Sequence, residues 1–212
     1  MNTTSLPAPS NTRADPRIVR SETSIRQALL DCLAAGREFN TLTVSEIASD
    51  AGVTRKTFYA RFGSLEQVVD RMVADVFADI AAQIDDEMLR LPLKDNSLAM
   101  LVFKACEENQ TVLSSLVRQC PAGLFLEPAS VVASSLLDRA IRVNNVSPMP
   151  DVNREYLVMT VTTMIHGVLS VWIKRGFSES TEQVASFIDT LLAEGLQKIV
   201  AGNNEFTMAQ EK

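Results

Sequence analysis

Apolar residues recur along most of the chain at three- and four-residue spacing, which is the period of amphipathic α-helices. The first such stretch covers about 16–35 and begins at Asp15-Pro16, where Asp suits the N-cap and Pro the first helical position. No segment shows the two-residue alternation bounded by turn residues that predicts a β-hairpin. The pattern therefore predicts an all-α fold.

Glycines and capping residues predict where the helices begin and end. Glycines at 36, 52 and 63 mark the ends of the first three predicted helices. Ser64 with Gln67 opens a long fourth helix whose apolar residues continue to about Arg90, which predicts a rod of ~40 Å. After Pro92 the pattern predicts five more helices, at about 95–108, 110–119, 127–144, 151–175 and 181–201. About nine helices and no strands result.

Residues 41–62 contain two short predicted helices joined by a tight turn. Thr43 with Glu46 is a capping box, and Gly52 suits the left-handed position after the helix. Phe58 and Phe62, four residues apart, share a buried face of the second helix. The rest of that helix is left for solvent or a partner, as in a helix-turn-helix whose second helix enters a major groove: Arg55, Lys56, Thr57, Tyr59 and Arg61.

The segment Val53-Thr-Arg-Lys-Thr-Phe-Tyr-Ala-Arg-Phe62 resembles the recognition helix of TetR/AcrR-family transcriptional regulators, whose pattern is Val-Ser-x-x-Thr-(Leu/Phe)-Tyr-x-His-Phe. The likeness extends from about Arg17 to Val69. Two positions differ from the family pattern. Arg61 replaces the usual His, and Leu65 replaces a Lys that often contacts the DNA backbone. The resemblance implies a helix-turn-helix domain at 15–65 and a ligand-binding and dimerisation domain at 66–202. The polar, Pro-containing composition of 1–14 predicts a disordered tail, and the polar residues 203–212 predict a flexible one.

The side chains of the predicted helix-turn-helix differ in the DNA groups that they can contact. Arg55 and Lys56 are long donors suited to base edges, with guanine O6 and N7 as natural acceptors. Thr54, Thr57 and Tyr59 offer hydroxyls to phosphate oxygens, and the Thr57 methyl can meet a thymine methyl. Thr43, at the start of the first of the two helices, can present its amide and hydroxyl to a phosphate, and Arg17 and Arg20 can reach the flanking backbone. Arg61 keeps a hydrogen-bond donor at the position of the family's His and is a further candidate for DNA contact.

The charge of the chain is unevenly distributed. The net charge is −6, but residues 1–65 hold eight Lys or Arg against six Asp or Glu, a net of +2. The remainder then holds 12 basic and 20 acidic residues, a net of −8. A mildly basic head on an acidic body fits a protein that binds double-stranded DNA at one end.

The resemblance also implies a cavity for a small-molecule effector between the fourth helix and helices five to eight. Met and aromatic residues of the body are the candidate lining, although such residues at helical spacing equally form plain core. The basic residues there are scattered, which favours an apolar or weakly polar effector over a phosphorylated one. The candidates are Met88, Met100, Phe103, Phe125, Met159, Met164, His166 and Trp172.

The last two predicted helices carry wide apolar stripes. Such stripes either face the core of the domain or, as the resemblance implies, pair with symmetry mates in a four-helix bundle. A two-fold homodimer is also what two operator half-sites require. The candidate interface residues are Trp172, Val184, Phe187, Ile188, Leu191, Leu192 and Leu196.

Residues for catalysis, metal binding or a cofactor are not predicted. The chain contains no Gly-rich phosphate loop, Gly-x-Ser-x-Gly or His-Glu-x-x-His motif, and its single histidine lies in an apolar helical stretch. The three cysteines have no Cys-x-x-Cys spacing and are expected to be free thiols in a reducing cytoplasm. No signal peptide is evident, and no apolar run is expected to be long enough for a membrane span.

The leading hypothesis is a cytoplasmic, ligand-responsive transcriptional regulator, a repressor that a small molecule releases from a palindromic operator. One alternative is an adaptor or co-activator whose C-terminal domain binds a partner protein. A second alternative is an enzyme or carrier that keeps the DNA-binding head as a relic.

Overall fold

A computed structural model describes residues 15–92, 97–147 and 150–200, so the two predicted terminal tails lie outside the described residues. Within these ranges the chain forms nine α-helices and no strand, which confirms the predicted all-α class. The helices are α1 (Pro16–Ala34), α2 (Val44–Asp50), α3 (Arg55–Arg61), α4 (Leu65–Gln83), α5 (Ser97–Glu108), α6 (Gln110–Gln119), α7 (Gly123–Val143), α8 (Asp151–Lys174) and α9 (Thr181–Val200).

The first three helices pack around one small core. α1 contacts both α2 and α3, and these two also contact each other. The side chains at the centre are fully buried aliphatic and aromatic residues, among them Ile25, Leu29, Ile47 and Phe58. A short 3₁₀ turn, Phe39–Thr41, joins α1 to α2 and buries Phe39, a turn that the hydrophobic pattern did not predict.

Helix α4 is shorter than the sequence predicts. It ends at Gln83, so its 19 residues span about 28 Å rather than ~40 Å. Ile84 has an extended backbone, and a second 3₁₀ turn, Glu87–Leu89, follows. The predicted end near Arg90 was wrong. Ile84 and Leu89 lie in this irregular segment but are buried, so their spacing resembles that of a continuing helix.

The remaining helices form the body. α4 packs along α7, α7 along α8, and α5 along α9, while α1 also contacts α6. One continuous cluster of buried residues therefore runs from the head into the body through α4 and α6. The domain division at residues 65 and 66 stays a prediction.

Helix α7 begins four residues earlier than the predicted 127, at Gly123. Pro128 lies inside it, although proline has no N–H for the helical hydrogen bond. Phe125 and Ala129 on either side of the proline are both buried. Tertiary packing thus keeps this segment helical against the local preference.

Helix α8 contradicts the expectation that no apolar run is long enough to span a membrane. Its length and composition would suffice for a membrane span, with a mean hydropathy of 1.6 over its most apolar 18 residues. A third of that window is buried, including Leu169 and Trp172, and the helix packs on α7 and α6. It is packed as a core helix is, and its other face is exposed.

Candidate DNA-binding surface and effector cavity

The start of α2 is fixed by a reciprocal capping box. The amide and hydroxyl of Thr43 both donate to Glu46 Oε2, at 3.0 and 2.8 Å, and the Glu46 amide donates to Thr43 Oγ1. Arg37 also pairs with Glu46, at 3.1 Å. Bonds from Thr43 and Arg37 hold the pKa of the Glu46 carboxyl below its usual value. Both donors of Thr43 that the sequence assigned to a phosphate are thus already engaged within the head.

The turn between α2 and α3 depends on Gly52, which has a φ of 66°. A residue with a Cβ would be strained there, whereas glycine adopts this left-handed conformation freely. The Val53 amide donates to Ala48 O at 2.9 Å, which closes the end of α2 and turns the chain toward α3. The predicted turn is therefore present, and it sets the angle between the two helices.

Helix α3 has one buried face and one exposed face. Phe58 is fully buried and stacks edge-on with Tyr59, and Phe62 is buried at the end of the helix. Arg55, Lys56 and Tyr59 are exposed, and the Tyr59 side chain keeps half of its surface in solvent. These three side chains share the accessible face of the helix.

The Thr54 hydroxyl caps α3 and lies beside the Thr57 hydroxyl. Thr54 Oγ1 accepts from the Thr57 amide at 3.0 Å, and the two hydroxyl oxygens lie 2.9 Å apart. Thr54 is exposed and Thr57 half-buried. Each hydroxyl retains acceptor capacity, but its orientation is set within the helix.

Arg61 is engaged within the head. Its Nε donates to Ser21 Oγ of α1 at 3.0 Å, and the side chain is half-buried. The sequence left Arg61 for solvent or a partner and did not identify Ser21, because no local pattern joins residues that are 40 positions apart. Arg17 and Arg20, at the start of α1, are exposed, as the predicted flanking contacts require.

A cavity of about 220 Å³ lies in the body. Residues of α4, α5, α7, α8 and α9 line it, together with the segment after α4. Phe77 and Ile80 of α4 and Phe103 of α5 are part of the wall. Among the described residues, its lining is apolar except for Thr162 of α8 and Asp189 of α9.

The segment after α4 is held against the cavity by α7. Arg139 Nη2 donates to Ile84 O and pairs with Asp86, both at 2.9 Å. Asn144 donates to Leu89 O and accepts from the Leu91 amide, both at 2.8 Å. Within the acidic run at 85–87, Asp86 is thus paired with α7.

Of the eight predicted lining residues, Phe103 and Phe125 line this cavity. Trp172 is buried behind Phe103, with ring centroids 6.0 Å apart, and the indole Nε1 donates to Glu179 O. His166 lies beside Phe125, with ring centroids 5.0 Å apart, and burial lowers the pKa of its imidazole. The other four lie outside the wall: Met88, Met100, Met159 and Met164. Aliphatic side chains form most of the wall. They were not predicted, because only Met and aromatic residues of the body were taken as candidates.

The predicted interface residues divide into buried and exposed groups. Trp172, Val184 and Ile188 are buried within the subunit, so they face its core. Phe187 and Leu191, one turn apart on α9, are each 56% exposed. The side chains of Leu192 and Leu196 lie outside the described part of the chain. On α8 the exposed large apolar residues are Tyr156, Met159 and Val171.

The three cysteines are not part of a metal site in the described part of the chain. Cys32, Cys106 and Cys120 are free thiols, as expected, and burial raises the pKa of both Cys106 and Cys120 to about 12. Glu107 accepts a hydrogen bond from Thr181 across α5 and α9. Within the described ranges, no group of three or more His, Cys, Asp or Glu could hold a metal ion.

Comparison with known proteins supports the assignment of the head. Residues 33–72 match the family described as bacterial regulatory proteins, tetR family. The chain is 24% identical over 175 residues to an uncharacterized HTH-type transcriptional regulator, YxbF, from Bacillus subtilis (strain 168). That match covers 81% of this chain and 44% of the relative, so the chain spans less than half of the relative's length.

Solved structures share the fold over most of the chain. Lin0861 from Listeria innocua has a TM-score of 0.65 at 16% identity, covering 86% of this chain and 94% of its own. The fatty acid degradation regulator FadR from Bacillus halodurans has a TM-score of 0.55 at 14% identity, covering 88% and 99%. The dihydroxyacetone kinase operon activator DhaS has a TM-score of 0.52 at 21% identity, covering 85% and 98%.

Proposed function

We propose that this chain, which belongs to the TetR family of bacterial transcriptional regulators, is a repressor that an apolar or weakly polar small molecule releases from DNA. The observation that carries the proposal is the apolar cavity, whose wall includes the C-terminal half of α4. The N-terminal half of the same helix is buried against the head. Regulators of this family usually have no enzymatic activity, and gene regulation fits the cytoplasmic location expected from the sequence.

The DNA-binding part of the proposal rests on the exposed face of α3. Arg55 and Lys56 in its first turn are free to reach base edges, and Tyr59 can contact a phosphate. Arg17 and Arg20 extend the positive charge onto α1 and suit the flanking backbone. Arg61 is assigned a positioning role through Ser21 instead of a direct contact.

Dimerisation through α8 and α9 is supported by the large apolar side chains that these helices expose to solvent. Phe187 and Leu191 on α9, with Tyr156, Met159 and Val171 on α8, are large apolar side chains exposed in the single subunit. A two-fold interface brings the same patch of each subunit together and would bury these residues. A dimer of this kind presents two copies of α3 to the half-sites of a palindrome.

Coupling between cavity and DNA is assigned to α4. Val68, Val69 and Met72 are buried near the head, whereas Phe77 and Ile80 line the cavity one to two turns later. Arg26 of α1 also pairs with Asp75 of α4, at 2.6 Å. A ligand that presses on Phe77 or Ile80 therefore acts on a helix that carries the head with it. The separation of the two recognition helices then changes, and two half-sites tolerate little change.

The two alternatives make different demands on the body. A partner-binding adaptor has no need of an interior cavity with apolar walls, so the cavity favours the small-molecule reading. An enzyme or carrier needs convergent polar groups, and the His166 ring has Phe125 as its aromatic neighbour and no side-chain hydrogen bond within the described residues. The small-molecule regulator is therefore the function that the geometry supports best.

A cavity-filling variant tests this proposal. Ala133 lines the cavity, so Ala133→Phe should leave operator affinity unchanged and abolish the response to any molecule that releases the wild-type protein. Ser135→Phe, on the exposed face of the same helix, is the matched control and should respond normally. Fluorescence anisotropy of a labelled operator, titrated with and without effector, gives both readings. An Ala133→Phe protein that still responds fully would place the effector elsewhere.

Reciprocity provides a second check on the same proposal. If the effector weakens operator binding, the operator must weaken effector binding by the same factor. Calorimetric titration of the effector into free protein and into the protein–operator complex measures that factor. Equal affinities in the two titrations would show that the molecule is not an inducer.

A further inference from the structure

One part of the cavity wall is an irregular segment, residues 84–91, which we call the strap. It follows α4 directly and contains the second 3₁₀ turn. Its side chains that line the cavity are those of Ile84, Leu89 and Leu91. Its side chains that are exposed to solvent are those of Asp85, Asp86, Glu87 and Arg90. The strap is therefore one layer of chain with the cavity on one side and solvent on the other.

Side chains of α7 hold the strap near both of its ends. At the start, Arg139 Nη2 donates to the strap backbone and to Asp86 Oδ1, both at 2.9 Å. At the end, Asn144 Nδ2 donates to Leu89 O, and Asn144 Oδ1 accepts from the Leu91 amide, both at 2.8 Å. The backbone of the strap thus depends on side chains of another element for hydrogen bonds that a helix makes within itself.

The helices of the wall are harder to displace than the strap. Each of them packs on at least one other helix of the body, so moving it breaks apolar contacts over several turns. Displacing the strap exposes Ile84 and Leu89, which are buried, and breaks its bonds to Arg139 and Asn144. Segments with fewer buried contacts open locally at a lower free energy than the whole fold. Opening at the strap is therefore the least costly way to connect the cavity with solvent.

We propose that the strap is the gate through which the effector enters and leaves the cavity. This inference rests on the proposed function in taking the cavity as the effector site. Opening separates residues 84–91 from α7, and closing restores the bonds from Arg139 and Asn144 beside the bound molecule. The strap is closed both in the free protein and in the complex. Its bonds therefore control how fast a ligand enters and leaves, while the closed cavity determines how tightly the ligand binds.

Stopped-flow mixing of the protein with 1-aminonaphthalene tests the inference. This compact apolar fluorophore is uncharged at neutral pH, and its emission changes on transfer from water to an apolar cavity. Trp172 is the single tryptophan and lies behind Phe103 of the wall, so its fluorescence gives a second signal. Ala133→Phe fills the cavity and should abolish binding, which would locate the fluorophore inside it.

Two variants weaken the strap without changing the cavity wall. Asn144→Ala removes the bonds to Leu89 and Leu91, and it should raise the association and dissociation rate constants together by about tenfold (roughly 1.4 kcal/mol in the opening equilibrium). The dissociation constant should stay within about twofold, because free and bound protein lose the same bonds. Asp86→Ala, which breaks an exposed pair and disturbs folding less, should raise both rate constants by about threefold.

Asp138→Ala is the matched control. Asp138 also lies on α7, and it pairs with Arg154 of α8 at 2.7 Å, an ion pair between two helices and not with the strap. The variant therefore loses a comparable ion pair from the same helix. It should leave both rate constants at their wild-type values, since the strap keeps its bonds to Arg139 and Asn144.

Three results would overturn the inference, and they differ in what else they remove. Unchanged rate constants in Asn144→Ala and Asp86→Ala, with binding abolished by Ala133→Phe, would place the entrance elsewhere and leave the cavity as the effector site. A changed dissociation constant without a parallel rise in both rate constants would mean that the α7 side chains only shape the closed cavity. Absence of binding to the wild-type protein, or full binding to Ala133→Phe, would remove the gate and the proposed effector site together.

Discussion

Arg61, the last residue of the recognition helix, donates a 3.0 Å hydrogen bond from Nε to Ser21 Oγ in the second turn of α1. The contact spans 40 positions of sequence and joins the third helix to the first. Gly52 sets the turn before α3, and Phe58 holds its centre in the core. The bond to Ser21 fixes its C-terminal end. The recognition helix is therefore held at its start, its middle and its end.

We expect Arg61 and Ser21 to act on DNA binding as one unit. Ser21→Ala should weaken specific operator binding by about 0.5–1.5 kcal/mol, although Ser21 contacts no DNA, because α3 loses one of its attachments. Arg61→Ala should cost at least as much, and the double variant should cost no more than Arg61→Ala alone. A double-mutant cycle by anisotropy measures the coupling. Strictly additive effects would mean that Arg61 acts on the DNA directly and independently of Ser21.

Arg55 and Lys56 should determine which bases are read. Arg55→Ala or Lys56→Ala should cost roughly 1–3 kcal/mol at the specific site and relax the base preference at one position of each half-site. Lys104→Ala, which removes an exposed cation from α5, is the control and should leave binding unchanged. Competition titrations against single-base operator variants give the comparison. An unchanged base preference in both variants would remove α3 as the reading element.

Phe187 and Leu191 should hold the dimer together. Phe187→Asp or Leu191→Asp should weaken association by about 3 kcal/mol or more, which is roughly 100-fold. The effect is large because a two-fold interface contains each residue twice, so one substitution removes two apolar side chains. Val19→Asp on α1 replaces an apolar residue that is about half exposed and lies outside the proposed interface. Sedimentation equilibrium should show a monomer for the α9 variants and a dimer for the Val19 variant. Unchanged dimers in all three would place the interface elsewhere.

His166 gives a pH dependence that can be followed at a single resonance, because it is the only histidine in the chain. Burial disfavours the charged imidazolium, so the pKa in the folded state lies below the ordinary 6.5. The unfolded chain then binds the proton more strongly. The stability contribution of His166 is full above pH 6.5 and is lost as the pH falls through the lower folded pKa.

Two measurements check this expectation. The imidazole proton shifts should titrate with a midpoint below 6.5 in the folded protein. The free energy of unfolding should fall less between pH 7 and pH 5 in His166→Phe than in the wild type. A midpoint at or above 6.5 would show that a partner stabilises the charged ring.

The local features of the head could be predicted because they depend on residues three or four positions apart. The capping box of Thr43 and Glu46, the left-handed Gly52 and the cap at Thr54 are all set by neighbours in sequence. The interaction of Arg61 with Ser21 could not be predicted in this way. It follows from how α3 lies across α1, which is a property of the tertiary fold.

The body was harder to predict for the same reason. The spacing of apolar residues located its helices. It also predicted too long an α4, because Ile84 and Leu89 are buried although they lie in the irregular segment after the helix. The choice of cavity residues failed to include Thr162, whose only signal in the sequence is a hydroxyl within an apolar helix. Five helices meet around the cavity, and their arrangement decides which apolar residues line it and which fill the core. The spacing of apolar residues along the chain does not contain this information.

The most direct test of the central claim is selection of DNA from a random library by the purified protein. The account predicts enrichment of a palindrome whose half-sites lie one helical turn, or a multiple of it, apart. The same selection with Arg55→Ala should lose preference at the position that Arg55 reads, while Lys104→Ala should recover the wild-type palindrome. Failure of the wild-type protein to enrich any sequence above the input library would contradict the account.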